Sequence, residues 1–296
     1  MISTPTVFIL GAGASIPYGY PSGETLREKI IEELNLKNKP FFKELTTNQG
    51  FSQKEIFDFR DSFLFSGKSS IDAFLEYRTE YIDIGKLVIA MSLIPHENLI
   101  RLFNNSGSGK WYNYFYNRLT TSFDDFDSNK FSIITFNYDR SLEQFLFTAL
   151  KNSYGKNDKE CASKFKGILI IHLHGKLDDL DWQVKNGRPY DSNKSDGKYL
   201  KQSADKIKII HEDVSDDKSF EEAHDLLEDA EMIHFLGFGY NKTNVERLKI
   251  PKGKRTWGTA LNMSSTEKTE VSKLINGIAL HSMDTLNYLR SNLQFD

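Results

Sequence analysis

The chain has a single cysteine, Cys161. A lone thiol closes no intrachain disulfide and builds no four-cysteine zinc site, so neither kind of staple is open to the fold. Neither sign of charge is in large excess: 38 Lys and Arg stand against 41 Asp and Glu, a formal net charge of −3. That balance lacks the basic footprint of direct nucleic-acid binding. No apolar stretch reaches the ~18 residues that a membrane span needs. The opening MISTPTVFILGAG has no basic region ahead of its apolar run, so it reads as a strand and not as a secretory signal. These absences lead us to expect a cytoplasmic protein without membrane contact. Apolar mass, by contrast, is plentiful. Of 296 residues, 39 % are hydrophobic and 22 are Phe, enough for one large domain or two unequal lobes with a substantial core.

Val7 to Leu10 is a short continuous apolar run stopped by glycine, which fits a buried parallel strand. Ser22 is placed to cap a helix carrying Leu26, Ile30 and Leu34 at spacing four. From about residue 37 to 127 the signals are helical, including SSIDAFLEY with Ser70 as cap and the aromatic WYNYFYNRLT; NNSGSGK, Asn104 to Lys110, is a flexible loop by composition. Strands and helices then alternate. FSIITF, GILIIHLHG, EMIHFLGFG, RTWGTALNM and GIALHSM read as strands, and Asp284 caps the last helix. The polar stretch from Asp178 to Asp205 reads as an exposed loop or insertion. Repeated strand–helix units predict an α/β fold: a Rossmann-like, doubly wound, mostly parallel sheet. Residues 1–36 and 128–296 form it, and 37–127 form an inserted helical lobe.

Gly11-Ala12-Gly13-Ala14-Ser15 follows the first predicted strand. Such turns let backbone N–H groups approach a pyrophosphate at a helix start. The stretch departs from the G-x-G-x-x-G fingerprint, since Ile16 takes the third glycine position and Glu32 and Glu33 fall inside a helix pattern. A tight turn without a ligand is the alternative. Three more predicted strands end in polar or glycine groups: Asn137-Tyr138-Asp139, His174-Gly175 and Gly237-Phe238-Gly239-Tyr240. In a doubly wound sheet, ligands bind beyond the carboxyl ends of the strands, so these groups should gather beside the glycine loop. Asp139 has a second reading as a helix cap. His172 and His174, two apart on one strand, should share a face, with His174 the more exposed.

In this order, GAGAS, TFNYD (Thr135 to Asp139), HLHGKL (His172 to Leu177) and LGFGY (Leu236 to Tyr240) resemble the sirtuin-like superfamily. SSIDAFL is similar to a recurrent helix of that family. The chain departs from the deacylase branch. It has no zinc ribbon, it has Phe136 where deacylases have Gln, and YGYPSG (Tyr18 to Gly23) stands in place of G-I-P-D-F-R. It looks like the bacterial antiphage-defence branch, whose members hydrolyse NAD+ to nicotinamide and ADP-ribose and so starve the infected cell. The resemblance implies NAD+ as substrate and no metal. It implies catalytic roles for Asn137, His174 and Asp139. Gly11, Ala12, Gly13 and Ser15 would cradle the diphosphate. Tyr138, Gly237, Phe238, Gly239 and Asn262 would complete the NAD+ site, with Asn262 on the adenine ribose. Asp72 is a first-turn helix charge or reaches the site from the helical lobe, and the structural role is favoured. A binder of NAD+ or ADP-ribose without turnover, an assembly subunit and an NAD-dependent deacylase are the competing readings. A chain of this length leaves no room for a fused sensor. The expected partner is a separately encoded sensor, such as a HerA-like ATPase or a nucleotide-processing subunit, within an oligomer.

Overall fold

Six short apolar segments pair in parallel: β1 (Thr6–Leu10), β2 (Phe131–Thr135), β3 (Ile170–His172), β4 (Met232–Leu236), β5 (Arg255–Thr259) and β6 (Ala279–His281). This is a computed structural model, and it describes residues 1–104, 106–119, 122–191, 197–209 and 217–293. The strand order is β3-β2-β1-β4-β5-β6. The chain winds outward from β1 to β3 and returns to β1's other side at β4, so the fold is Rossmann-like α/β with its switch point between β1 and β4. Leu10 pairs with Thr135 on one side and Leu236 on the other. The ends of three strands are therefore level, and their loops emerge together.

Seven α-helices among the described residues lie between β1 and β2: α1 (Gly23–Glu33), α2 (Pro40–Thr47), α3 (Gln53–Leu64), α4 (Ile71–Leu75), α5 (Ile82–Leu93), α6 (Leu99–Phe103) and α7 (Tyr112–Leu119). After β2 come α8 (Ser141–Tyr154) and α9 (Asp158–Lys164). Beyond β3 follow α10 (Gly197–Asp205), α11 (Lys218–Asp229), α12 (Lys242–Leu248), α13 (Ser265–Leu274) and α14 (Thr285–Asn292). Side chains alternate across β1: Phe8 and Leu10 join the core made with α1 to α8 and α14, while Val7 and Ile9 join the core under α11 to α13. The inserted helices thus continue the core of one sheet face. Local chemistry starts the helices where expected. Ser22, Ser70 and Asp284 accept from the backbone N–H three residues on, at 3.1, 3.2 and 2.9 Å. Among the described residues no helix is long and apolar enough to cross a membrane.

Three expectations need correction. β3 is confined to Ile170–His172, because Leu173 and His174 turn and Gly175 takes a φ of +69°. β5 ends at Thr259, which leaves Asn262 in an exposed turn with left-handed backbone, φ +61°. The stretch from Asp178 is not simply exposed: Asp178, Leu180, Arg188 and Tyr190 are buried, and α10 closes it. Residues 192–196 of that stretch, residue 105 of the expected flexible loop and residue 120 at the end of the aromatic run lie outside the described residues.

What draws the polar stretch inward is charge. Glu97, between α5 and α6, is buried with both oxygens on Arg140, at 2.9 and 2.8 Å, and one also on Arg188 at 2.6 Å. Arg140 donates further to the carbonyls of Asp179 and Arg188 at 3.0 and 2.9 Å, and Arg188 to that of Leu177 at 3.0 Å. Tyr20 and Tyr190 meet hydroxyl to hydroxyl at 2.9 Å. Removing one partner of a buried ion pair strands the other, so Glu97→Gln is expected to cost about 3–5 kcal/mol in urea unfolding.

His234 on β4 lies between the rings of Phe8 and Trp257, at 5.4 and 5.1 Å, with Nδ1 2.6 Å from the Tyr288 hydroxyl. Burial pushes its pKa down from 6.5 to about 4. As pH falls through that window the unfolded chain takes up this proton first. The stability is complete above the upper value and is lost below it at about 1.4 kcal/mol per pH unit. The urea midpoint should fall from pH 7 to pH 5, and fall less in His234→Asn.

Candidate functional site

The glycine loop sits directly against the β4 loop. Gly11 N–H donates to the Leu236 carbonyl at 3.1 Å and Gly13 N–H to the Gly237 carbonyl at 2.9 Å. A single 3₁₀ turn, Ala12–Ala14, then closes through Ala14 N–H to Gly11 and Ser15 N–H to Ala12, at 2.9 and 3.0 Å. A Cβ on Gly11 or Gly13 would stand 2.7 or 2.8 Å from the Gly237 oxygen. Close approach of two backbones therefore explains both glycines. Of the five N–H groups in Gly11 to Ser15, that of exposed Ala12 alone has no acceptor among the described residues.

Asn137 follows β2. Its Nδ2 donates to the Gly11 carbonyl at 3.0 Å and to Ser15 Oγ at 3.1 Å. Both amide hydrogens are thus used, and a carbonyl partner fixes which end is the nitrogen. Asn137 offers Oδ1, an acceptor. Its own carbonyl lies 2.8 Å from His172 Nδ1, and His172 Nε2 lies 2.7 Å from Glu143 Oε1 on α8. Burial alone would raise the Glu143 carboxyl, but His172, Lys176 and a backbone hydrogen bond together hold it below the usual range. Asp139 receives the Ser141 N–H at 3.1 Å and the Ser141 hydroxyl, so it performs the cap-like role at the start of α8. Burial raises its carboxyl above the usual range, against hydrogen bonds from Ser141 and Ser15. Asp139, Ser15 and His172 line a void of about 10 Å³ behind Asn137.

In front of Asn137 opens a cavity of about 250 Å³. Its sheet side comprises Gly11, Ala12, Phe136, Asn137, His174, Phe238 and Gly239. Its far wall is α4 and the cap that ends it, through Asp72 and Glu76. His174 is 6 % exposed, edge-on to Phe136 at 5.1 Å, and its Nε2 is buried without a partner among the described residues. Burial pushes the His174 imidazole below its ordinary pKa; Asp72 opposes the shift and Arg247 adds to it. The Tyr138 hydroxyl donates to Asp72 Oδ1. Tyr240 also lines the cavity, in left-handed backbone at φ +50°, with its hydroxyl on the Thr259 carbonyl at 3.1 Å. Strain of this kind tends to collect at functional sites.

The structure therefore brings Gly11, Ala12, Asn137, His174, Phe238 and Gly239 to one cavity, with Tyr138 reaching it through Asp72. Gly13 and Gly237 form the seam between loops, and Ser15 and Asp139 stand behind Asn137. Asn262 lines no part of the cavity. The two histidines serve different spaces, and neither is exposed, because the turn at Leu173 breaks the strand's alternation. For Asp72 the sequence favours a first-turn helix charge over a residue that reaches the site; it stands in the first turn of α4 and also lines the cavity. Glu76 was missed, although its place four residues after Asp72 puts both carboxylates on one helix face. Among the described residues no three His, Cys, Asp or Glu come together to hold a metal ion.

Compared with known proteins, the chain matches no protein-family model and no curated protein.

Gly237 and Gly239 separate the seam from the cavity. Gly237 has a φ of +57°, and a Cβ there would stand 2.1 Å from Ala14 N, whereas one on Gly239 meets nothing within 4 Å. Gly237→Ala is expected to lose about 2–4 kcal/mol of stability. Gly239→Ala should leave the thermal midpoint unchanged.

Proposed function

We propose that the chain is an NAD+ glycohydrolase, producing nicotinamide and ADP-ribose as an effector of bacterial antiviral defence under the control of a separately encoded partner. The observation that carries the reading is His174. Its side chain lines a cavity at the strand ends beside the Asn137 acceptor, and its buried Nε2 has no partner among the described residues.

The reaction breaks the bond between the nicotinamide nitrogen and the ribose anomeric carbon. Nicotinamide leaves as a neutral molecule, and positive charge spreads over the ribose in an oxocarbenium-like transition state, as in glycoside hydrolysis. Water then adds to the anomeric carbon and loses a proton. The His174 imidazole accepts that proton, or the proton of a ribose hydroxyl, and Asn137 Oδ1 orients the group that gives it up. A depressed imidazole pKa keeps His174 neutral, and so able to act as a base, at neutral pH. Ala12 N–H is the donor that the glycine loop keeps for a phosphate oxygen. The cavity is smaller than the ~300–1,000 Å³ typical of sites that enclose a whole drug-sized ligand. It suits the nicotinamide–ribose end, with the rest of the dinucleotide running outward over the β4 loop.

The test is incubation of the purified protein with NAD+, alone and with proteins encoded beside it, followed by chromatography for nicotinamide and ADP-ribose. Turnover should fall at least ~100-fold in His174→Ala, the usual scale for loss of a general base. Asn137→Ala should fall comparably. The acid limb of the kcat/KM profile should lie below pH 6.5, the ordinary histidine value. Binding of NAD+ without turnover under every condition would instead favour the reading as a binder of NAD+ or ADP-ribose without turnover.

A further inference from the structure

We propose that Asp72 makes this cavity selective for a planar organic cation, and that it is the specificity-determining residue for the charged ring of the ligand. The inference rests on the hydrolase reading for the natural ligand, the oxidised pyridinium ring of NAD+, but its test does not.

Charge is the first ground. Asp72, in the first turn of α4, and Glu76, at its C-terminal cap, both line the cavity. Among the described residues no Lys or Arg lines it. Arg247 stands outside the lining, near enough to act on His174 and to face Glu76, so the carboxylate left to the cavity is that of Asp72. The second ground is rigidity. α4 is capped by Ser70 and fixed by Ile71, Phe74 and Leu75, all buried in the core. Tyr138 holds the Asp72 carboxylate by a hydrogen bond from the opposite, sheet side. The charge is thus built into the wall and does not sit on a free surface side chain. The third ground is shape. Phe136 and Phe238 line the same cavity with ring centroids 5.2 Å apart. Aromatic surface beside a fixed carboxylate favours a flat cation, by π-attraction and by charge. The volume of about 250 Å³ suits a ligand of one ring and little more.

The chemistry of the proposed reaction gives this selectivity a use. The nicotinamide ring is cationic while it is bonded to ribose and neutral once it leaves. A carboxylate in the wall attracts the substrate ring and loses its hold on the product. The reduced dinucleotide, whose ring carries no charge, would gain nothing from Asp72.

The experiment compares 1-methylnicotinamide, a cation, with neutral nicotinamide, binding each to the intact protein by ligand-observed NMR. The native protein should favour the cation roughly tenfold, between the scale of one charge pair in bulk water and one near a protein surface. Asp72→Asn keeps the size of the side chain and an acceptor for Tyr138, and should reduce the preference to near parity. Tyr138→Phe should give an intermediate value, and the thermal midpoint of each variant shows that it is folded. No preference in the native protein, or an undiminished one in folded Asp72→Asn, overturns the assignment. A cation preference that needs Asp72, in a protein that leaves NAD+ intact, supports the assignment while removing the hydrolase reading. Hydrolysis of NAD+ at an unchanged rate and preference in Asp72→Asn does the reverse.

Discussion

The contact on which the rest depends is Glu97 held between Arg140 and Arg188. Each comes from a different part of the chain: the inserted helices, the segment after β2, and the polar stretch beyond β3. Arg140 directly follows Asn137, Tyr138 and Asp139 in sequence. Its guanidinium therefore fixes the strand-end segment that carries the candidate chemistry, and the same carboxylate fixes the helical insert that forms the cavity's far wall. A charge buried this deeply tolerates no loose geometry, because an unpaired guanidinium in the core costs far more than the pair gains.

The glycine loop illustrates a second constraint. Gly11 and Gly13 look from sequence like a place prepared for phosphates. Their geometry is dictated by the neighbouring loop, whose Gly237 carbonyl leaves no room for a side chain at either position. What the loop offers a ligand is one backbone N–H and the oxygen-facing amide of Asn137, oriented by Gly11 and Ser15. Asn137 and the loop are parts of one hydrogen-bonded unit. Neither would be correctly placed without the other.

Much of this was legible in the residues. Continuous apolar runs ended by glycine gave the strands, because a parallel sheet covered on both faces needs apolar side chains on both sides of each strand. Caps such as Ser22 and Asp284 located helix starts. The gathering of strand ends followed from parallel winding, and it correctly joined Gly11, Asn137, His174 and Phe238. Tertiary contacts account for what sequence concealed. Polarity marked the region from Asp178 as exposed, but a buried carboxylate elsewhere in the chain reclaims Arg188. The alternation that put His172 and His174 on one face assumes an extended strand, and Gly175 lets the chain turn before it gets there. Asp72 sits at a helix start, where a carboxylate has a sufficient local reason to exist. Only the packing of α4 against the strand ends shows that the same side chain faces a cavity.

The wide spacing of the site's parts governs when it comes into being. β1 finds its neighbours at Phe131 and Met232, and the cavity draws on residues from Gly11 to Asn244. Until β4 has left the ribosome, β1 lacks one edge partner and the glycine loop lacks the surface that shapes it. Contacts this distant in sequence form late in folding. A shortened product ending before β4 lacks the Phe238 to Asn244 part of the cavity's lining, so the site is assembled only after β4 has been made.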